Sequence, residues 1–182
     1  TIRQYLQLIS LSTFIFLLAA IPISAQNTID LTVSPPTQEV EVKPGETKRI
    51  QVKFYNRTDE NISGNIKKAD FLVLDKDGSP TIFDTSAANN RFSASSWISF
   101  IEDKVTITAK NQIIVNAVIS VPENAYHCGH YASIYFQPTP DTLGGKELER
   151  ESMASIAFKL ASLLYINVAG ECKEKAYISN MS

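Results

Sequence analysis

Val121-Pro-Glu-Asn-Ala-Tyr-His-Cys-Gly-His-Tyr-Ala-Ser-Ile-Tyr-Phe136 is the stretch on which the fold turns. It follows Ile113, Val115, Ala117, Ile119 and Val121, a strict apolar alternation of the kind a strand with one covered face produces. Pro122 ends that strand. After the Cys128-Gly129 pair the alternation resumes at Ala132, Ile134 and Phe136. The stretch therefore reads as a corner between two core strands, with the new strand beginning at His130.

The same period runs through the chain on both sides. Leu31 and Val33 alternate with polar neighbours until Ser34-Pro35-Pro36 stops them, as suits an edge strand. Glu39-Val-Glu-Val42 resumes the pattern, and Lys43-Pro-Gly-Glu46 reads as a turn. Ile50, Val52 and Phe54 then face one way, with Arg49, Gln51, Lys53 and Tyr55 facing the other. Ile62 to Leu74 is β-prone with apolar residues on both parities, which predicts cover on both faces, and Asp75-Lys-Asp-Gly78 is a hairpin-type turn. Ser79 to Ser96 reads as a long loop. Val105 and Ile107 mark a further strand. Ile156, Phe158, Leu160, Leu164, Ile166 and Val168 share one parity over a last long strand, with Ser162 the exception. A helical turn is allowed near Lys146 to Glu151. Short strands separated by turns, with no strand–helix repeat, predict an all-β antiparallel sandwich.

Ahead of the sandwich, Arg3 precedes an apolar run from Leu8 to Ile23, no acid occurs before Asp30, and Pro22-Ile-Ser-Ala25 supplies a breaker and small residues. This is the pattern of a signal peptide over residues 1–25, with an uncleaved anchor helix as the alternative. Residues 26–182 then form one domain facing outside the cytoplasm. Both ends read as cut inside a longer protein. The 182 residues carry 17 basic and 19 acidic side chains in a mixed distribution. No basic stripe suggests nucleic acid, and membrane contact is expected only through the N-terminal segment or an anchor beyond the C-terminus.

The order of Val33-Ser-Pro-Pro36, Val42-Lys-Pro-Gly-Glu46 before a strand ending in Asn56, Ser96-Trp97-Ile98, Val121-Pro122, Gly129-His-Tyr-Ala132 and Val168-Ala-Gly170 resembles a known family. It is similar to the immunoglobulin-like extracellular domain of bacterial WxL-type surface proteins, the module described as peptidoglycan-binding. More distantly it is similar to the N-terminal domain of periplasmic pilus chaperones. The resemblance spans roughly residues 30 to 170, the size of one sandwich domain. It implies an exported cell-envelope binding module for peptidoglycan or another surface protein, with no enzymatic activity. The alternative it implies is a periplasmic assembly chaperone that lends a strand, for which the discriminating feature is an exposed edge strand within Ile156 to Val168.

Cys128 and Cys172 are the only cysteines, and export permits a disulfide. If the strands beginning at His130 and ending near Gly170 are partners, a Cys128–Cys172 bridge ties their ends, worth on the order of 3 kcal/mol. Two buried free thiols are the alternative. His127, Cys128, His130 and Cys172 together invite a metal reading, but the two histidines have opposite strand parity, and a bridge would remove both thiolates. No metal or cofactor is expected. Hydrolase chemistry lacks a nucleophile elbow, and Asp75 and Asp77 lack the further ligands of a calcium loop. Asn56, Asn61 and Asn180 sit in glycosylation-type triplets and read as turn residues. Trp97 reads as a core residue. Tyr131, Ser133 and Tyr135 point opposite to the inward set and are expected to form an exposed strip for a sugar face or a protein partner.

Overall fold

The computed structural model describes residues 30–74, 76–83, 91–139 and 159–172. The signal-peptide or anchor segment, the turn near Lys146 to Glu151 and Asn180 lie outside them. So do Ile156 and Phe158 of the expected last strand. Among the described residues no helix is long and apolar enough to cross a membrane.

The strands are β1 (Leu31–Ser34), β2 (Thr37–Val42), β3 (Thr47–Asn56), β4 (Ile62–Val73), β5 (Pro80–Phe83), β6 (Ile98–Ser99), β7 (Lys104–Ile107), β8 (Gln112–Ser120), β9 (Gly129–Pro138) and β10 (Leu160–Val168). They form two sheets. The first is four-stranded in the order β1-β3-β8-β6, and the second is six-stranded in the order β2-β10-β9-β4-β5, with β7 also paired to β4. The expected β-sandwich is what the chain forms. One pairing departs from the antiparallel expectation, since β2 runs parallel to β10. The reason is local: the chain leaves the first sheet at Ser34 and joins the second at Thr37 without reversing direction, so Ser34-Pro35-Pro36 is a crossing between sheets.

The core lies between the two sheets and consists of the alternating residues read from the sequence. Val52 and Phe54 on β3, Ala117 and Ile119 on β8, Ala132, Ile134 and Phe136 on β9, and Leu164 and Ile166 on β10 are all buried. Phe54 and Phe136 meet across the gap with ring centroids 6.0 Å apart. Each of the valine, leucine, isoleucine and phenylalanine side chains among them contributes roughly 1.5 to 3 kcal/mol when removed from water. Ser162, the polar exception on β10, is buried and donates its hydroxyl to the Pro35 carbonyl at 2.7 Å. Gly64 is required by packing, because a Cβ there would stand 2.5 Å from the Phe136 ring and the Gln137 carbonyl.

Turns follow the sequence closely. In Lys43–Glu46 the Glu46 amide donates to the Lys43 carbonyl and Gly45 takes φ +76°, the left-handed region that favours glycine. Asn56, at the end of β3, is buried; its amide donates to the carbonyls of Glu60 at 2.7 Å and Ile107 at 3.0 Å. That nitrogen holds two segments together and is not an exposed acceptor for a glycan. The expected long loop from Ser79 to Ser96 is corrected in part. Its first residues form β5 against β4, in the register Val73↔Pro80 to Asp70↔Phe83, because Thr81, Ile82 and Phe83 are good strand formers beside a long partner. Its last residues form a single 3-10 turn, Ser95–Trp97.

Candidate binding face

The corner that opened the sequence reading is fastened as expected. Cys128 and Cys172 are bridged, with Cα atoms 5.1 Å apart and a χ3 of 97°. The strands beside them are partners, since Gly129 pairs with Asn167 and the Val168 amide donates to the Cys128 carbonyl. Gly170, at φ +142°, lies under the His127 ring, and a Cβ there would be 2.2 Å from Nδ1. His127 Nδ1 is 2.7 Å from the Ala169 carbonyl, and His130 Nε2 is 2.8 Å from the Tyr126 carbonyl. A carbonyl only accepts, so both nitrogens carry protons. His130 is buried against Trp97, with ring centroids 4.4 Å apart. Trp97 itself is half-buried and packs on the core. The histidines thus latch the corner to the backbone, and the bridge occupies both sulfurs. Among the described residues no three His, Cys, Asp or Glu side chains gather as a metal site. At the β4–β5 turn, hydrogen bonds from the Ser79 amide and hydroxyl hold the Asp77 carboxyl below its ordinary value.

The expected Tyr131–Ser133–Tyr135 strip needs correction. Parity holds: these residues point away from the core. Exposure does not, since Ser133 is 0% and Tyr135 2% exposed, and only Tyr131 is half-buried. The reason is that the outer side of the second sheet is itself packed. Ser133 donates its hydroxyl to the Ala69 carbonyl at 3.1 Å, and the Lys159 ammonium lies 5.3 Å from the centre of the Tyr135 ring. Tyr131 sits among Phe71, Phe92 and Tyr165, with centroids 5.7, 6.1 and 5.7 Å away.

Four residues of this face escaped the sequence reading as site residues: Phe71, Arg91, Phe92 and Tyr165. The signal for Phe71 was present in the two-sided apolar pattern of Ile62 to Leu74. Tyr165 shares parity with Ala161 and Leu163 opposite the inward set of β10. Arg91 and Phe92 carried no signal, because a segment outside a regular strand brings them there.

That segment is tightly placed. β4 and β9 pair as far as Asp70↔Ala132. Beyond that point the Tyr131 amide donates to the Phe92 carbonyl at 2.8 Å, and Ser93 bridges Tyr131 in parallel. The buried Asp70 carboxylate accepts from the Ala94 amide at 2.9 Å and the Ser95 amide at 2.7 Å. Lys68 donates to the Ile98 carbonyl. Two ionic side chains of one strand therefore tether the segment at both ends of its 3-10 turn. Charge-assisted bonds of this kind are stronger than neutral ones. Arg91 is thereby set with its guanidinium 4.6 Å from the Phe92 ring centre and 5.2 Å from that of Tyr126.

The result is a face with Phe71 as its buried floor and Tyr131, Phe92 and Tyr165 half-exposed above it, edged by Arg91. Val73, two positions past Phe71 on the same side of β4, is 51% exposed. The edge strand anticipated for a strand-lending chaperone is not there over Leu163–Val168, since β10 has β9 on one side and β2 on the other.

No family model matches this sequence. No curated protein matches it either. The WxL-type resemblance therefore rests on its quoted motifs. Among solved structures, the fold is similar to a PapD-like domain of human CEP192, at 10% identity and TM-score 0.46, covering 84% of this chain and 94% of that one. It is also similar to the chaperone–tip adhesion subunit complex CsuC–CsuE of Acinetobacter baumannii, at 12% identity and TM-score 0.47, covering 78% and 58%. A family 123 glycoside hydrolase from Clostridium perfringens shares 10% identity at TM-score 0.49, but the match covers only 28% of that chain. These are likenesses of fold alone.

Proposed function

We propose that this chain is an exported, non-enzymatic binding module of the cell envelope whose partner is a protein held on the face of Arg91, Phe92, Tyr131 and Tyr165. The carrying observation is that aromatic face, with an arginine at its edge, beside a corner fastened by a disulfide. Tyrosine, phenylalanine and arginine over a buried apolar floor are the residues that concentrate binding energy at protein interfaces. The disulfide supports an oxidising, extracytoplasmic location.

A protein suits the face better than a wall glycan. Sugar stacking uses flat, accessible rings. Here Phe71 and Tyr165 meet at 76° and Tyr131 and Tyr165 at 82°, so the rings lock edge to face. Ser133 and Tyr135, which would have lengthened a sugar platform, are buried.

The test is photo-crosslinking in cells that export the full chain, with the photoreactive residue at exposed position 73. The expected result is a heavier adduct that protease destroys, reduced at least tenfold by Arg91→Glu. Retention on purified peptidoglycan should stay at background. An adduct that resists protease and is released by a wall hydrolase would overturn the protein reading. So would wall retention that Arg91→Glu abolishes.

A further inference from the structure

The geometry points to a second interface, distinct from the aromatic face: the open edge of β8 pairs with β8 of a second copy, joining two four-stranded sheets. On one side β8 is paired with β3 along its whole length, from Tyr55↔Gln112 to Thr47↔Ser120. On the other side it has only β6, at Val118 and Ile119. The chain then leaves the first sheet through Phe100–Asp103, and the Asp103 carbonyl accepts from Ile66 in the second. Gln112–Ala117 is left without a neighbouring strand among the described residues, with alternate backbone N–H and C=O groups directed outward.

This edge lacks the devices that keep sheet edges apart. β1 is short and runs into Pro35, β2 carries Glu39 and Glu41, β5 starts at Pro80, and β7 starts at Lys104. Gln112–Ser120 contains no charge and no proline. Apolar side chains surround it instead: Ile101 is 100% exposed, Ile114 is 46% exposed, and Ile113, Val115 and Val105 line the adjoining groove.

The strand that fits is uncharged, extended and alternating, and β8 is itself such a strand. Paired antiparallel about Ile114, it sets Ile113 against Val115 of the partner subunit and Gln112 against Asn116 of the partner subunit. Asn116 accepts from Gln51 at 2.8 Å through Oδ1, which leaves its amide nitrogen to donate to the partner's Gln112. The arrangement is isologous and closes as a dimer.

Charge does not oppose it. The charged groups that line the groove, Glu102 and Lys104, have opposite signs. Lys53 sits across from Ile114 on β3, so the two copies of Lys53 would be three strand spacings apart. That is about 14 Å, beyond the screening length of about 8 Å in physiological salt.

The experiment is sedimentation of the oxidised exported chain over a concentration series, with amide hydrogen exchange at the two ends of the series. The expected result is a dimer in which the outward amides of β8, those of Gln112, Ile114 and Asn116, are protected at high concentration and exchange on dilution, while those of Ile113, Val115 and Ala117, bonded to β3, do not change. Ile114→Lys places like charges against each other on the two-fold and should weaken association at least tenfold without altering the circular dichroism. Arg91→Glu, on the other face, should leave the mass unchanged. A wild-type chain that stays monomeric to its solubility limit overturns the proposal. So does a dimer whose Ile114 and Asn116 amides remain unprotected, or one that Arg91→Glu dissociates. The exchange measurement decides the matter on wild-type protein even if Ile114→Lys does not fold. Because the crosslinking test at position 73 reads the aromatic face alone, either interface can fail without the other.

Discussion

The outward faces of the two sheets have the same alternation and opposite fates. On the first sheet, Arg49, Gln51 and Lys53 of β3 stand beside Val118, Asn116 and Ile114 of β8, and the polar members meet water. Gln51 donates to Asn116 at an exposed site. On the second sheet, Phe71, Ser133 and Tyr135 occupy the corresponding outward positions and are buried. A strand's period of two says which side chains share a face, but says nothing of whether that face is covered. Cover depends on the composition of all the strands in the sheet and on segments packed over them. The second sheet has an aromatic residue on each of β4, β9 and β10 at that level, with Phe92 added from outside the strands.

The largest effect that separates the faces is expected at Phe71. Its ring touches both Tyr131 and Tyr165, so Phe71→Ala removes the floor of the aromatic face. The expected cost is about 3 to 4 kcal/mol by chemical denaturation, within the range for buried phenylalanine truncations. A cost below about 1 kcal/mol would mean that this face is no second core. Next comes Asp70, which anchors the segment carrying Phe92. Asp70→Ala leaves the Ala94 and Ser95 amides without their acceptor and should cost about 2 to 3 kcal/mol. Asp70→Asn, which keeps one acceptor oxygen, should recover part of that loss. Hydrogen exchange should localise the Asp70→Ala damage to residues 92–97 and the Tyr131 amide, leaving β3 and β8 protected as before.

Much of this was legible in the residues themselves. The strict alternations of Ile50–Phe54, Ile113–Val121 and Ala132–Phe136 identified the inward set, and turn chemistry at Pro44-Gly45 and Asp77-Gly78 placed the reversals. The Cys128–Cys172 bridge was legible on the condition that the strands beginning at His130 and ending near Gly170 are partners, and they are. What stayed hidden was non-local. Nothing in Ser93 or Ala94 announces that they sit beside β9, because their place depends on Asp70 and Lys68 some two dozen residues away in sequence. At Pro35 the sequence shows only the end of a strand, because a break in alternation does not say which sheet the chain joins next.

The finest test compares two polar outward residues on central strands. Ser133 on β9 and Gln51 on β3 each donate one side-chain hydrogen bond, to the Ala69 carbonyl and to Asn116. Ser133 is buried, so its hydroxyl has no water to turn to, and Ser133→Ala should cost about 1 kcal/mol. Gln51 is exposed, so water replaces its lost bond, and Gln51→Ala should stay within about 0.5 kcal/mol of wild type. The substitution also leaves the backbone carbonyl of residue 51 in place to accept from Gln38. Paired denaturation curves measure both. Equal costs would mean that coverage does not distinguish the faces at this level, and that the burial of Phe71 reflects that ring alone.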